Sequence, residues 1–293
     1  MRDLGEARWF LAMEITRDRV ARTISIDQCQ YIWKILGRFG LDKARPVSTP
    51  MATNLKLPKM ESLSVNQRLY QLMLGSLMYV AIGTRPDIMF AIHYLSQHSI
   101  ALGEQHLNMM KRVYCYLNGT PDLGLLFYGN QLNCDLVGFS DSDWAGDPNT
   151  RRSVSGYAFL FCGAVITWSA KKQPTITLSS TEAEYMAMTH SGKEAVFLNH
   201  LFSDLEIPFK FPISLLVDNQ SAITLAENPI FHTHSKHIEV HHHWMREKTR
   251  DRTIQLEYVP MADQVADIFT KLLNSEKFRK FRDALGLIQI NVH

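Results

Sequence analysis

The second half of this 293-residue chain predicts an α/β fold, a mixed five-stranded sheet with helices on its faces. Three observations carry it. Apolar runs of strand length recur after residue 136, a long amphipathic helix starts near Thr181 behind a capping signal, and the elements follow the order β, β, β, α, β, α, α, β, α. The first half predicts a mainly helical segment, because most of its apolar residues repeat at spacings of three and four.

Residues 1–45 combine an aromatic run (Trp9, Phe10, Leu11), an alternating stretch at 22–26 and helical spacing through Tyr31, Ile32, Ile35, Leu36 and Phe39, ending at Gly40. They read as a hairpin leading into a short helix. Residues 46–65 (PVSTPMATNLKLPKMESLSV) have the composition of an extended linker. Residues 66–130 predict three helices: one through Leu69, Leu72, Met73, Leu77 and Val80; one through Ile88, Ile92 and Leu95, after a break at 84–87; and one through Leu107, Met110, Val113, Tyr114 and Leu117, stopping at Asn118 and Gly119.

Residues 131–275 predict the sheet domain. LVGFS reads as a strand ending at Asp141, and SGYAFLFCG and AVITWSA as two strands joined at Cys162 and Gly163 with hairpin spacing. The helix near Thr181 follows, with Ser179-x-x-Glu182 and Thr181-x-x-Glu184 both matching a capping box. A buried strand, ISLLV, meets a helix at Asp218; a His-rich helix, the strand TIQLEYV and a helix from about Ala262 complete the domain. Residues 276–293 are left as a C-terminal helix and tail.

Composition bounds the class. A hydrophobic content of 46% supports a sizeable core, and a formal charge of +2 is too small to diagnose a nucleic-acid partner. The four cysteines are scattered without a CxxC pair, which suits thiols in a reducing, intracellular compartment. The N-terminus lacks a secretory pattern and no run of about 18 apolar residues occurs, which argues against a membrane span.

The chemistry lies in four acids: Asp141 in GFSDSDWAGD, Glu184 in SSTEAEYMA, Asp218 in LLVDNQSA and Asp267 in ADQVADIFTK. Each stands at the end of a strand-like run or in the first turn of a helix-like run, where a sheet can gather them. Mg2+ prefers oxygen ligands in octahedral geometry, and a pair of ions about 4 Å apart needs several carboxylates in a small volume. Such a site serves in-line displacement at a phosphodiester. Asp143 and Glu182 crowd the first two motifs, and only one acid of each pair is expected to face the ions. The histidines at 232, 234, 237, 241, 242 and 243 lack an HExxH pattern and read as part of a helix rather than a zinc site.

The phrases SDSDWAGD, RRSVSGYAF, SSTEAEYMA, VDNQSAI, KHIEVHHHWMRE and ADIFTK, in this order, resemble the type I ribonuclease H domain of copia-type LTR retrotransposon Pol polyproteins. DLGEARWFLAMEI, PVSTP, GSLMYVAIGTRPDI and KRVYCYLNGTPDLGL resemble the part of that polyprotein that follows the polymerase palm, so the resemblance covers nearly the whole chain. It implies a ribonuclease H-like domain preceded by a reverse transcriptase thumb and connection remnant. It also implies Asp141, Glu184, Asp218 and Asp267 as catalytic and metal-binding residues, two Mg2+ ions with Mn2+ as a substitute, and an RNA–DNA hybrid as substrate. The family's polymerase centre is a Tyr-x-Asp-Asp hairpin; this chain has no Asp-Asp dipeptide, so palm and fingers are expected elsewhere in a longer polyprotein. Ala12 stands where the family usually has Gly, and the segment 259–264 lacks the His that some cellular enzymes of this class place before the last acid.

Lys171, Lys172, Lys236, Arg246 and Lys248, with Arg250 and Arg252, are candidates for phosphate contacts, with a solvated charged face as the equal alternative. Asn219 and Gln220 are candidates for base or sugar contacts, or for capping the helix behind Asp218. Trp144 and Trp168 read as core packing ahead of base stacking. Two functions fit this sequence: a metal-dependent endonuclease, or a catalytically idle fragment that binds nucleic acid.

Overall fold

The computed structural model describes residues 5–53, 66–99, 102–129, 135–147, 150–227 and 236–290. The chain divides into two compact units, Met1–Asn130 with Leu272–His293, and Gln131–Lys271.

The first unit contains the expected hairpin and helices. Strands Trp9–Phe10, Met13–Asp18 and Thr23–Asp27 pair in sequence and lead into helix Cys29–Arg38. Helices Gln67–Gly83, Met89–Ser96 and Glu104–Asn118 follow, burying Tyr70, Leu77, Val80, Ile92, Val113 and Leu117. Of the expected linker, residues 54–65 lie outside the described residues. Before them, Thr49 and Met51 are buried rather than solvated, and Thr49 accepts a hydrogen bond from Arg112 Nη2 at 3.1 Å.

Two further strands in this unit are not among the expected elements. Leu123–Tyr128 pairs antiparallel with Thr23–Asp27, and Leu287–Gln289 pairs with Leu123–Tyr128. LGLLFY is a short apolar run without alternation, which periodicity cannot assign, and its partners are distant in the sequence. The break at 84–87 also proves to be more than a helix stop. Arg85 is fully buried, donating to Asp87 at 3.0 and 2.8 Å and to the Thr120 carbonyl at 2.6 Å, while the Tyr116 hydroxyl donates to Asp87 at 2.6 Å. Every polar partner is internal, so losing one would strand a buried charge.

The second unit is a five-stranded sheet with strands β1 (Val137–Asp143), β2 (Val154–Phe161), β3 (Ala164–Lys172), β4 (Ile213–Val217) and β5 (Ile254–Tyr258) in the order β3-β2-β1-β4-β5. The β1/β2 and β2/β3 pairs are antiparallel; β1/β4 and β4/β5 are parallel. Cys162 and Gly163 turn β2 into β3 with φ of 52° and 89°, the paired positive angles that a two-residue hairpin requires. Cys162 is disulfide-bonded, against the reading of scattered thiols, and its partner lies outside the described residues; Cys29 and Cys115 are free. Helices α1 (Ser180–Asp204), α2 (Gln220–Glu227) and α3 (Lys236–Arg250) complete the unit. Phe159, Leu215, Val217, Ile254 and Leu256 of the sheet pack on Tyr185, Met188, Leu198 and Phe202 of α1 and on Met245 of α3.

The helix expected from Ala262 is instead a short 3-10 turn, Val265–Phe269, and the next helix, Ser275–Ala284, belongs to the first unit. Gln264 explains the tight turn. Its Nε2 donates to the Ser140 carbonyl at 2.9 Å and its Oε1 accepts from Ala266 N at 3.2 Å, while i→i+3 bonds link Asp267 N to Gln264 O and Thr270 N to Asp267 O.

Leu11 and Ala12 carry φ of 47° and 56° between the first two strands of the first unit. A left-handed angle costs a residue with a Cβ about 1 kcal/mol that glycine does not lose. Ala12→Gly is therefore expected to stabilise the protein by about 1 kcal/mol, read as a higher urea midpoint at unchanged slope.

Candidate metal centre

Parallel pairing of β1 and β4 builds the centre. Ser140 lies opposite Val217 in the register, so Asp141 and Asp218 emerge as neighbours at the carboxyl ends of the two central strands. Ser179 caps α1 by accepting from Glu182 N at 3.2 Å, which fixes the first turn so that Glu184 is buried while Glu182 is half-buried and accepts from the Leu178 N–H at 2.7 Å. Asp141, Glu184 and Asp218 each bring one carboxylate oxygen within 4.8 Å of the others. Asp141 is fully buried, Glu184 is 6% exposed and Asp218 is half-buried.

The fourth acid joins through a lysine. Lys271 Nζ donates to Asp267 Oδ1 at 2.7 Å and to Asp141 Oδ1 at 3.0 Å, and the Thr270 hydroxyl donates to Asp141 Oδ2. Asp267 is fully buried, and its turn sits on β2 because position 156, opposite Asp141 in the register, is glycine. A Cβ there would come within 2.8 Å of Phe269 Cβ and Thr270 Cγ2.

Burial pushes the Asp141 carboxyl up to about 6, against the pull of Lys271 and with the push of Asp267. Burial, reinforced by the charges of Asp141 and Asp218, raises Glu184 well above the ordinary carboxylate range. The Ser142 N–H partly offsets this, yet Glu184 Oε2 is buried with no hydrogen-bond partner among the described residues. Burial opposes the charge on Lys271, but Asp141 and Asp267 outweigh it and hold the ammonium above the ordinary lysine range. Asp143, pushed up to about 7 by burial, accepts from the Val154 N–H and holds the start of β2.

An all-carboxylate donor set with an unsatisfied buried oxygen fits a hard divalent cation such as Mg2+ or Mn2+. Asp141, Glu184 and Asp218 would hold it, with Asp267 at the Lys271 side of the shared Asp141.

The other sequence candidates whose side chains are described are not part of this cluster. Asn219 caps α2, its Oδ1 accepting from Ala222 N at 3.0 Å, and Gln220 is exposed. Lys171 is exposed, Lys172 pairs with Asp147, Arg246 donates to the Leu225 carbonyl at 3.2 Å, and Lys248 pairs with Asp251 at 3.1 Å. The side chains of Lys236, His237, His241 and His242 lie outside the described residues, as do His232 and His234; His243 is exposed. Trp168 is half-buried, whereas Trp144 is 53% exposed and not a core residue. Gln264, Thr270, Lys271 and Gly156 are the supporting residues that sequence reasoning did not single out. The i, i+4 spacing of Asp267 and Lys271, with the acid first, was the available signal for one of them.

Three antiparallel strands followed by two parallel ones, in this order and with acids at the central strand ends, define the ribonuclease H-like fold. No family model matches the chain. It is 37% identical over 294 residues to the retrovirus-related Pol polyprotein from transposon TNT 1-94 of Nicotiana tabacum, covering 98% of this chain and 22% of that protein. It is 36% identical over 292 residues to the Pol polyprotein from transposon RE1 of Arabidopsis thaliana, covering 99% and 20%. The chain belongs to the retrovirus-related Pol polyproteins of copia-type transposons and spans about a fifth of the length of these relatives. Among solved structures, the N-terminal RNase H domain of rv2228c from Mycobacterium tuberculosis matches 52% of this chain and 99% of its own, at 15% identity and a TM-score of 0.36. Strand topology, not that superposition, identifies the fold.

Two outcomes follow from this geometry. Gly156→Ala must displace the turn that carries Asp267, so a loss of about 1–3 kcal/mol is expected in denaturant unfolding. His190, packed on Tyr157 with ring centroids 5.1 Å apart, is pushed down to about 4 by burial, with Lys171 and Lys193 adding to the effect. The unfolded chain takes up this proton near pH 6.5 and the folded chain does not, so the contribution is complete above pH 6.5 and lost as pH falls toward 4. His190→Gln is expected to flatten the acid limb of stability across that window, as followed by thermal melts at stepped pH.

Proposed function

We propose that residues 131–271 act as a ribonuclease H that cuts the RNA strand of RNA–DNA hybrids, using two divalent ions, Mg2+ or Mn2+. The unit would serve within a longer Pol polyprotein that supplies the polymerase palm and fingers. One observation carries the reading: a buried carboxylate cluster, with Glu184 Oε2 unsatisfied, at the central strand ends of a ribonuclease H-like sheet.

Ions bound there supply activation of the attacking water and charge neutralisation at the departing oxygen. The protein's part is to place carboxylates at fixed distances in a site where burial strengthens each interaction. Asp218, the least buried acid of the triad, is the one most open to a substrate phosphate. In the net reaction a water oxygen bonds to phosphorus as the P–O3′ bond breaks, leaving a 5′-phosphate and a 3′-hydroxyl.

Lys171 is exposed, Lys172 and Lys248 pair with Asp147 and Asp251, and Arg246 donates to the Leu225 carbonyl; these four cations are the ones that would contact phosphates of the duplex. Exposed Trp144, one residue beyond β1, offers a face for stacking, which revises its reading as a core residue. Asn219 and Gln220, next to Asp218, are placed for contacts to sugar or base edges, and selectivity for RNA would rest on 2′-hydroxyl contacts across the minor groove.

The test is cleavage of a hybrid carrying labelled RNA. Cutting is expected with Mg2+ or Mn2+ and not with EDTA, and Asp218→Asn is expected to reduce it to background while the circular dichroism spectrum stays unchanged. Retained hybrid binding without metal-dependent cutting would show a nucleic-acid-binding module instead.

A further inference from the structure

We propose that the Lys271 ammonium is the resident occupant of the second cation position, so that the two divalent ions load unequally and the weaker one enters only by displacing it. This inference rests on the metal-dependent nuclease reading and goes beyond it.

The geometry separates two positions that share Asp141. One is the triad of Asp141, Glu184 and Asp218, whose oxygens lie within 4.8 Å of one another. The other lies between Asp141 and Asp267, and Lys271 Nζ is there, 3.0 and 2.7 Å from their Oδ1 atoms. The side chains of Asp141 and Asp267 are 0% and 1% exposed, so an unpaired charge on either would be costly. Each carboxylate oxygen has two lone pairs, so Asp141 can serve the triad position while still accepting from Lys271.

Charge balance points the same way. Four carboxylates carry four formal negative charges, and one ammonium with one divalent ion neutralises three of them. A second divalent ion arriving while the ammonium stays would reverse the sign of the cluster, so its entry is coupled to the exit of Lys271. The side chain can make that exit. It is 34% exposed, and its backbone is anchored by Lys271 N donating to the Asp267 carbonyl at 3.0 Å, so the ammonium can swing to solvent while the turn stays formed. Lys271 is thus a positioning residue for the site and a competitor for its second ion.

The experiment is Mn2+ titration of the full chain by calorimetry, comparing wild type with Lys271→Gln and Lys271→Arg. Wild type is expected to bind one ion tightly and a second at least about tenfold more weakly, a gap of about 1.4 kcal/mol. Lys271→Gln is expected to narrow the gap by tightening the second site, and Lys271→Arg, which keeps the charge, to preserve it. An unchanged gap in Lys271→Gln, or two equal sites in wild type, would overturn the inference even if hybrid cleavage is intact. No ion bound to any variant would overturn this inference together with the metal-dependent nuclease reading. Should Lys271→Gln fail to fold, the wild type decides: the Lys271 13Cε resonance, assigned by its loss in Lys271→Arg, is expected to move in a Mg2+ titration only during the weaker binding phase. Movement during the first phase, or none at all, would refute displacement.

Discussion

Mutual repulsion among buried carboxylates is the constraint around which the second unit is built. Like charges 4.8 Å apart repel by about 3–4 kcal/mol at an effective dielectric constant near 20, well above the 0–1 kcal/mol of an exposed ion pair. No arrangement of surface charges can offset that, so compensation has to come from inside. The structure supplies it three ways. Burial raises the proton affinity of Asp141 and Glu184, Lys271 bridges Asp141 and Asp267, and the Ser142 N–H and Thr270 hydroxyl donate to the carboxylates. Glu184 Oε2 still lacks a partner among the described residues, which leaves the cluster short of positive charge and suited to a divalent ion.

Sheet topology explains why these acids meet at all. In an antiparallel pair the carboxyl end of one strand faces the amino end of the next, which would separate Asp141 from Asp218. Parallel pairing of β1 with β4 puts both ends at one edge, with α1 starting beside them to bring Glu184. The antiparallel β2 contributes an absence of side chain, Gly156, through which the turn bearing Asp267 approaches. The site is therefore a property of strand order and direction before it is a property of individual acids.

Much of this was legible in the sequence, and the parts that were not share a physical cause. Periodicity located most helices of both units, and motif context singled out Asp141 over Asp143 and Glu184 over Glu182; the structure uses Asp143 to hold Val154 and Glu182 to accept from the Leu178 N–H at the helix cap. Strands Leu123–Tyr128 and Leu287–Gln289 were missed because pairing to distant segments leaves no local pattern. Arg85 and Asp87 read only as part of a helix break, since these residue types are rarely buried, and the three-dimensional network with Thr120 and Tyr116 is what shows their role in the core. Lys271 stood in plain view in ADIFTK, but which carboxylates its four-carbon stem reaches depends on the turn before it.

That turn is where the site is most fragile. A five-residue 3-10 segment has poor intrinsic hydrogen-bond geometry and cannot hold an acid in place by itself. Its position is imposed by Gln264 on the Ser140 carbonyl, by Thr270 on Asp141 and by Lys271 across Asp141 and Asp267. Each of these three side chains reaches Asp141 or the residue before it. The first acid is therefore both the shared ligand of the two cation positions and the anchor of the segment that delivers the last acid. Asp141 differs in this from Asp218, which follows β4 directly. Removing the Asp141 carboxylate would disturb ligand geometry and turn placement together, whereas removing that of Asp218 would change the ligand set with the scaffold intact.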